Sequence, residues 1–190
     1  MVKNSFETRY NFIQSTVEKK INMRKVLIKS IHNYSPNNIK LILDLKNTEE
    51  FKLDIDGYSA RGFTILHDIV LFGKLNVLKY YLRHFGNHLI NKTTINCLST
   101  PLHIAVMYQR YNIARILIQN GAVISKVNYS GQTPIHIAFR YKSSDLMIRL
   151  LLKNLKGKRN INESNFRQIL NLSLDHNRFT ITRYIIKCIS

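Results

Sequence analysis

One short pattern, Thr-x-x-His, returns three times along the chain at nearly constant spacing. It stands at Thr64-Ile65-Leu66-His67, Thr100-Pro101-Leu102-His103 and Thr133-Pro134-Ile135-His136, with starts 36 and 33 residues apart. A period of this size constrains the fold more than any other feature. It marks a row of small supersecondary units, none of which can bury its apolar face alone, so each must stack on the next. Thirteen or fourteen residues after each Thr a second apolar segment begins, at 77–82, 113–118 and 147–152. Each of these carries a basic residue at its third place: Lys79, Arg115 and Arg149. Two looser copies flank the three clear ones. Residues 26–31 precede 39–43, and residues 169–174 precede 181–186. Units are therefore expected to start near 26, 64, 100, 133 and 168, inside a repeat domain over 24–188 that follows an N-terminal helical or flexible segment, 1–23.

Each unit reads as helix, short turn, helix. Ile113, Ile116 and Leu117 give a buried stripe at helical spacing, as do Val77, Tyr80 and Tyr81. Thr133 can cap a helix start with its hydroxyl, and Pro134 at the first helical position gives up no needed hydrogen bond. Asn120-Gly121 is a stop signal, because glycine takes the left-handed conformation without a Cβ penalty. Gly62 and Gly131 sit two residues before their Thr, where a tight turn is expected.

These motifs resemble the ankyrin repeat, with its Thr-Pro-Leu-His-x-Ala core. Thr100 to Ala105 matches fully, and Thr133 to Ala138 matches with Ile135 in the Leu place. Thr64 to Ile69 is looser, with Ile65 for Pro and Ile69 for Ala. Residues 117–122, Leu-Ile-Gln-Asn-Gly-Ala, are similar to the family's Leu-Leu-x-x-Gly-Ala. The resemblance implies an all-α solenoid of about five helix-turn-helix repeats with β-hairpin fingers near 51–62, 87–99 and 121–132. It also implies degenerate terminal repeats, whose outer faces meet water. Partners of the family usually touch the finger tips and the concave helix face.

Three histidines in register invite a metal centre. Helices packed side by side hold equivalent side chains roughly 10 Å apart, against about 2 Å for a zinc–nitrogen bond. The resemblance instead makes His67, His103 and His136 structural, each bonding its helix-start Thr and neighbouring backbone. No nucleophile elbow, phosphate-binding glycine loop or His-Glu-x-x-His occurs in the sequence. Cys97 and Cys188, the two cysteines, form no disulfide framework. The expectation is a non-enzyme without cofactor or metal.

Charge narrows the partner. The net charge is +18, and no Asp or Glu occurs in residues 69–144, so that stretch carries a positive potential. Five of the eleven acids are Asp44, Glu49, Glu50, Asp54 and Asp56. An acidic protein surface fits this balance best. Nucleic acid is a weaker alternative, resting on counterion release and on Tyr129 and other aromatics that can stack on bases. Abundant Asn, Ile, Lys and Tyr also suit an AT-rich coding sequence, which raises Lys without function. Lys156-Gly157-Lys158-Arg159 is a short basic cluster of the nuclear-import kind. No signal-peptide pattern or membrane-length apolar run is present, so a soluble monomer in the cytoplasm, with the nucleus as an alternative, is expected.

A short chain made almost wholly of repeats, with eroded ends, looks like the small viral ankyrin proteins of the bracovirus type that resemble inhibitors of Rel/NF-κB factors. That resemblance implies sequestration of a host Rel factor and suppression of immune signalling. The other expectation is a general ankyrin adaptor or effector, of a virus or an intracellular bacterium, that binds an acidic host protein. Residues expected at the partner surface are Glu49, Glu50, Asp54 and Asp56, the acidic patch suited to a basic Rel segment, together with Lys92, Arg110, Lys126, Tyr129, Arg140 and Lys142.

Overall fold

The structure is a computed structural model that describes residue 29, residues 57–156 and residues 163–189. The chain divides into two compact units, Met1–Gly57 and Tyr58–Ser190. The first repeat expected near 26 and the acids Glu49, Glu50, Asp54 and Asp56 lie outside the described residues.

The helices of the second unit come in pairs: α1 Ile65–Leu71 with α2 Leu75–Phe85, α3 Pro101–Met107 with α4 Tyr111–Gln119, α5 Pro134–Arg140 with α6 Asp145–Lys156, and α7 Glu163–Asp175 with α8 Phe179–Ile189. α1, α3, α5 and α7 pack in that order as an inner row, while α2, α4, α6 and α8 form an outer row. This is an all-α repeat solenoid.

Inner helices α1, α3 and α5 are short, seven residues each, because they are specified at both ends. Thr64, Thr100 and Thr133 hold extended backbone at the N-caps, and Pro101 and Pro134 stand in the first turn. At the far end the chain must reverse at once into the outer helix. One residue in left-handed backbone does this in every pair: Gly73 (φ +70°), Gln109 (φ +54°), Lys142 (φ +50°) and Asn177 (φ +52°). Gly73 has a further reason to be glycine. A Cβ there would stand 2.6 Å from the Arg110 guanidinium carbon, which lies across it from the next repeat.

Inner helices α1, α3 and α5 bury nearly all their side chains, including Leu66, Leu102, Ala105, Ile135 and Ala138, against the helices stacked on them, whereas α7 leaves Leu174 exposed. Outer helices bury a single stripe: Val77, Leu78 and Tyr81 on α2, and Ile113, Ala114 and Leu117 on α4. At roughly 1.5–3 kcal/mol per fully buried large apolar side chain, this stacked interior is the main stabilising term.

The fingers depart from expectation. Among the described residues, 87–99 and 121–132 contain turns and no strand. The tips touch through one backbone bond each, Ile95 N–H to the Gly62 carbonyl (3.0 Å) and Tyr129 N–H to the Cys97 carbonyl (2.9 Å). A side chain takes the place of further ladder bonds. Asn91 accepts from Val123 N–H at 2.8 Å and donates to the Gly121 carbonyl at 3.0 Å. Backbone groups satisfied by an amide side chain need no paired strand.

Candidate functional site

The fingers and the helix ends beneath them are where the chain has chemistry to offer, and the Thr–His motif fixes their position. In all three clear repeats the Thr backbone N–H donates to the His Nδ1: 3.2 Å at Thr64–His67, 3.1 Å at Thr100–His103 and 3.3 Å at Thr133–His136. A backbone N–H can only donate, so Nδ1 is the unprotonated nitrogen and Nε2 carries the hydrogen. That hydrogen reaches the next repeat. His67 Nε2 donates to the Ser99 carbonyl and His103 Nε2 to the Gln132 carbonyl, each at 3.0 Å. The Thr hydroxyls lie 2.7–2.8 Å from the same Nδ1 atoms. At Thr100 the hydroxyl also accepts from the His103 N–H at 3.4 Å. Each imidazole thus closes its own helix start, and those of His67 and His103 also pin the finger of the next repeat.

This arrangement requires neutral rings. Burial pushes the His67 ring down to about 4 from 6.5. Burial likewise lowers His103, with the Lys126 charge adding to it, and lowers half-buried His136. Both nitrogens of His67 and of His103 are engaged, and no group of three metal-type side chains converges among the described residues.

The fingertips share one construction. Ser59, Thr94 and Asn128 each donate their N–H across the tip, to Phe63 (2.7 Å), Ser99 (2.9 Å) and Gln132 (2.9 Å). Their side-chain oxygens accept from backbone N–H groups on the returning arm. Two residues before each Thr the backbone is left-handed, at Gly62 (φ +74°), Leu98 (φ +49°) and Gly131 (φ +70°). Leu98 holds a conformation that costs a leucine about 1–2 kcal/mol. It is also exposed at the tip, next to Ile95 and Cys97.

The expected contact residues fall into three places. Lys92, Lys126 and Tyr129 are on fingers. Lys92 is exposed and holds its ammonium 5.8 Å above the Tyr58 ring, a cation–π contact. Tyr129 is 78% exposed, the most open large hydrophobic side chain among the described finger residues. Lys126 is half-buried, its ammonium donating to the Asn91 carbonyl at 2.8 Å, so it stitches two fingers together. Arg140 ends α5 and donates to the Gln132 side chain at 3.3 Å, which brings it to the base of the Tyr129 finger. Arg110 and Lys142 stand apart, exposed in the turns between inner and outer helices. Those turns are joined by Gln109 Nε2 donating to the Tyr141 carbonyl at 3.4 Å. Sequence reasoning missed Asn91 and Asn87, whose amides reach the next repeat at Gly121 and Asn120. Nothing in their local pattern marks an asparagine that bonds thirty residues away.

Comparison with known proteins agrees with this geometry. A family model for ankyrin repeats matches residues 27–128 and 66–165. The chain is 26% identical over 111 residues to mouse (Mus musculus) Rabankyrin-5, covering 53% of this chain and 9% of that protein. It is 30% identical over 112 residues to human (Homo sapiens) BCL-6 corepressor-like protein 1, covering 55% and 6%. It is 25% identical over 152 residues to the rat (Rattus norvegicus) nuclear factor NF-kappa-B p105 subunit, covering 78% and 15%. The chain therefore spans only a small part of each of these relatives.

Proposed function

Because the chain belongs to the ankyrin-repeat family, we propose that it is a binding scaffold whose fingers dock an acidic protein surface, with no catalytic role. One observation carries this reading. The most exposed large ring among the described finger residues, Tyr129, and the ring-held cation Lys92 stand in a stretch, 69–144, that contains no Asp or Glu. Tyrosine is enriched among the few residues that dominate interface energy, and the surrounding charge sets on-rate and partner choice. The Thr–His pins supply the second requirement, a surface already rigid before the partner arrives, so little ordering cost is left to binding.

A second reading, sequestration of a Rel/NF-κB factor in a host cell, is favoured by the similarity to NF-kappa-B p105 over 78% of the chain. It relies on Glu49, Glu50, Asp54 and Asp56 meeting a basic segment of that factor. Affinity capture from cell lysate separates the two. Capture of acidic proteins that falls at least about tenfold with Lys92→Glu plus Tyr129→Ala, a loss of roughly 1.4 kcal/mol or more, supports the finger surface. Recovery of a Rel factor that is lost on charge reversal at Glu49, Glu50, Asp54 and Asp56 supports the second reading. A bound set unchanged by either group of substitutions contradicts both.

A further inference from the structure

The basic residue at the third place of each outer segment plays no part in the finger surface. Register brings two copies of it, Arg115 on α4 and Arg149 on α6, to neighbouring helices of the outer row. Beside them is an open groove of about 400 Å³, which Tyr184 of α8 also lines. Its apolar lining is Ile118, Leu150 and Leu146, the last 66% exposed, with the half-buried Tyr111 ring and the Tyr184 ring beside them. Its charged lining is Arg115, Arg149 and Lys153, all exposed, with no carboxylate among the lining residues. Asp145, one turn before Arg149, is engaged elsewhere, by Arg178 and by the Thr180 hydroxyl.

Two details narrow what fits. The Arg149 guanidinium carbon lies 5.2 Å from the Tyr184 ring centroid, so that face is taken by a cation and is closed to a stacking base. Asn154, also in the lining, donates its Nδ2 to the Leu150 carbonyl at 2.8 Å. Its Oδ1 is the amide's one acceptor, suited to a peptide N–H. Ile118, Leu146 and Leu150 take an apolar side chain, and three cations take carboxylates on either side of it.

We infer that this groove is a second docking site, for an extended acidic peptide that places one large apolar side chain between Arg115 and Arg149. It sits on the outer helices and is independent of the fingers. A chain with two such surfaces can hold two proteins at once.

Selection of a displayed library of random short peptides on the full chain, at about 150 mM salt so that loose charge contacts are screened, tests this. The expected winners carry a Leu, Ile or Phe flanked by Asp or Glu. Their affinity falls at least about tenfold with Arg115→Glu plus Arg149→Glu, and again with the exposed Leu146→Asn alone. It holds with Lys92→Glu plus Tyr129→Ala. Unchanged thermal unfolding of the variants separates lost binding from lost fold. Winners that lack acids, tolerate the groove substitutions or respond only to the finger substitutions overturn the inference. So does a thymidine oligonucleotide that displaces the winners from the groove.

Discussion

Acidification from pH 6.5 to pH 4 is expected to destabilise the repeat stack by about 3 kcal/mol through His67 alone. The folded ring titrates near 4 and the unfolded one near 6.5. Between those values the unfolded chain binds a proton that the folded chain refuses, so stability is complete above pH 6.5 and falls as the pH drops through the window. A proton arriving at Nδ1 would displace the Thr64 N–H from its acceptor, which is the structural form of the same penalty. His103 and His136 act in the same direction, since burial lowers both. Asp145 adds a loss at lower pH. The Thr180 hydroxyl and Arg178 hold its carboxyl below the usual carboxylate range, so protonation there also favours unfolding. For a chain of this length each kcal/mol moves the melting temperature by about 2–4 °C. A midpoint falling by about 6–12 °C across the window is the expected melt, and a flat midpoint would show that the rings are not held neutral.

His103→Ala is expected to cost about 3–5 kcal/mol in urea unfolding. The substitution strands two buried or half-buried backbone groups, the Thr100 N–H and the Gln132 carbonyl, at about 1–3 kcal/mol each. It also leaves a ring-sized void beside fully buried neighbours. His103→Gln is expected to recover about half of the loss, because glutamine at this helix position can return a bond to the cap residue. It should also flatten this residue's share of the pH dependence, having no group that titrates. A His103→Ala variant within about 0.5 kcal/mol of the parent would remove the imidazole from the set of contacts that join repeat to repeat.

How much of this the sequence discloses depends on the range of each interaction. Thr100-Pro101-Leu102-His103 is legible because cap, first-turn proline and return bond all lie within four residues, and local chemistry decides them. The outer stripes are legible because burial on one side prints a helical period. The finger conformation is not, because the choice between a paired strand and a turn rests on Asn91 reaching Gly121 and Val123 across a repeat boundary. Leu98 hides its left-handed backbone for a related reason. The glycines at the equivalent places announce the turn, whereas the leucine is held there by the Thr94–Ser99 closure. Among the contact residues, charge alone does not tell Lys126, which is spent on the Asn91 carbonyl, from Lys92, which is exposed. The groove on the outer helices is half visible. Arg115 and Arg149 recur in register, but the Tyr184 ring beneath one of them comes from a repeat whose sequence has eroded.

The join between repeats rests on the His67 and His103 imidazoles, which accept at Nδ1 from their own helix start and donate from Nε2 to the next finger. Long-range nitrogen–proton NMR of the histidine rings across a pH titration observes that state directly. His67 and His103 should appear as Nε2–H tautomers at neutral pH, with His67 staying neutral until about pH 4. An Nδ1–H tautomer, or titration of His67 near its ordinary 6.5, would contradict it.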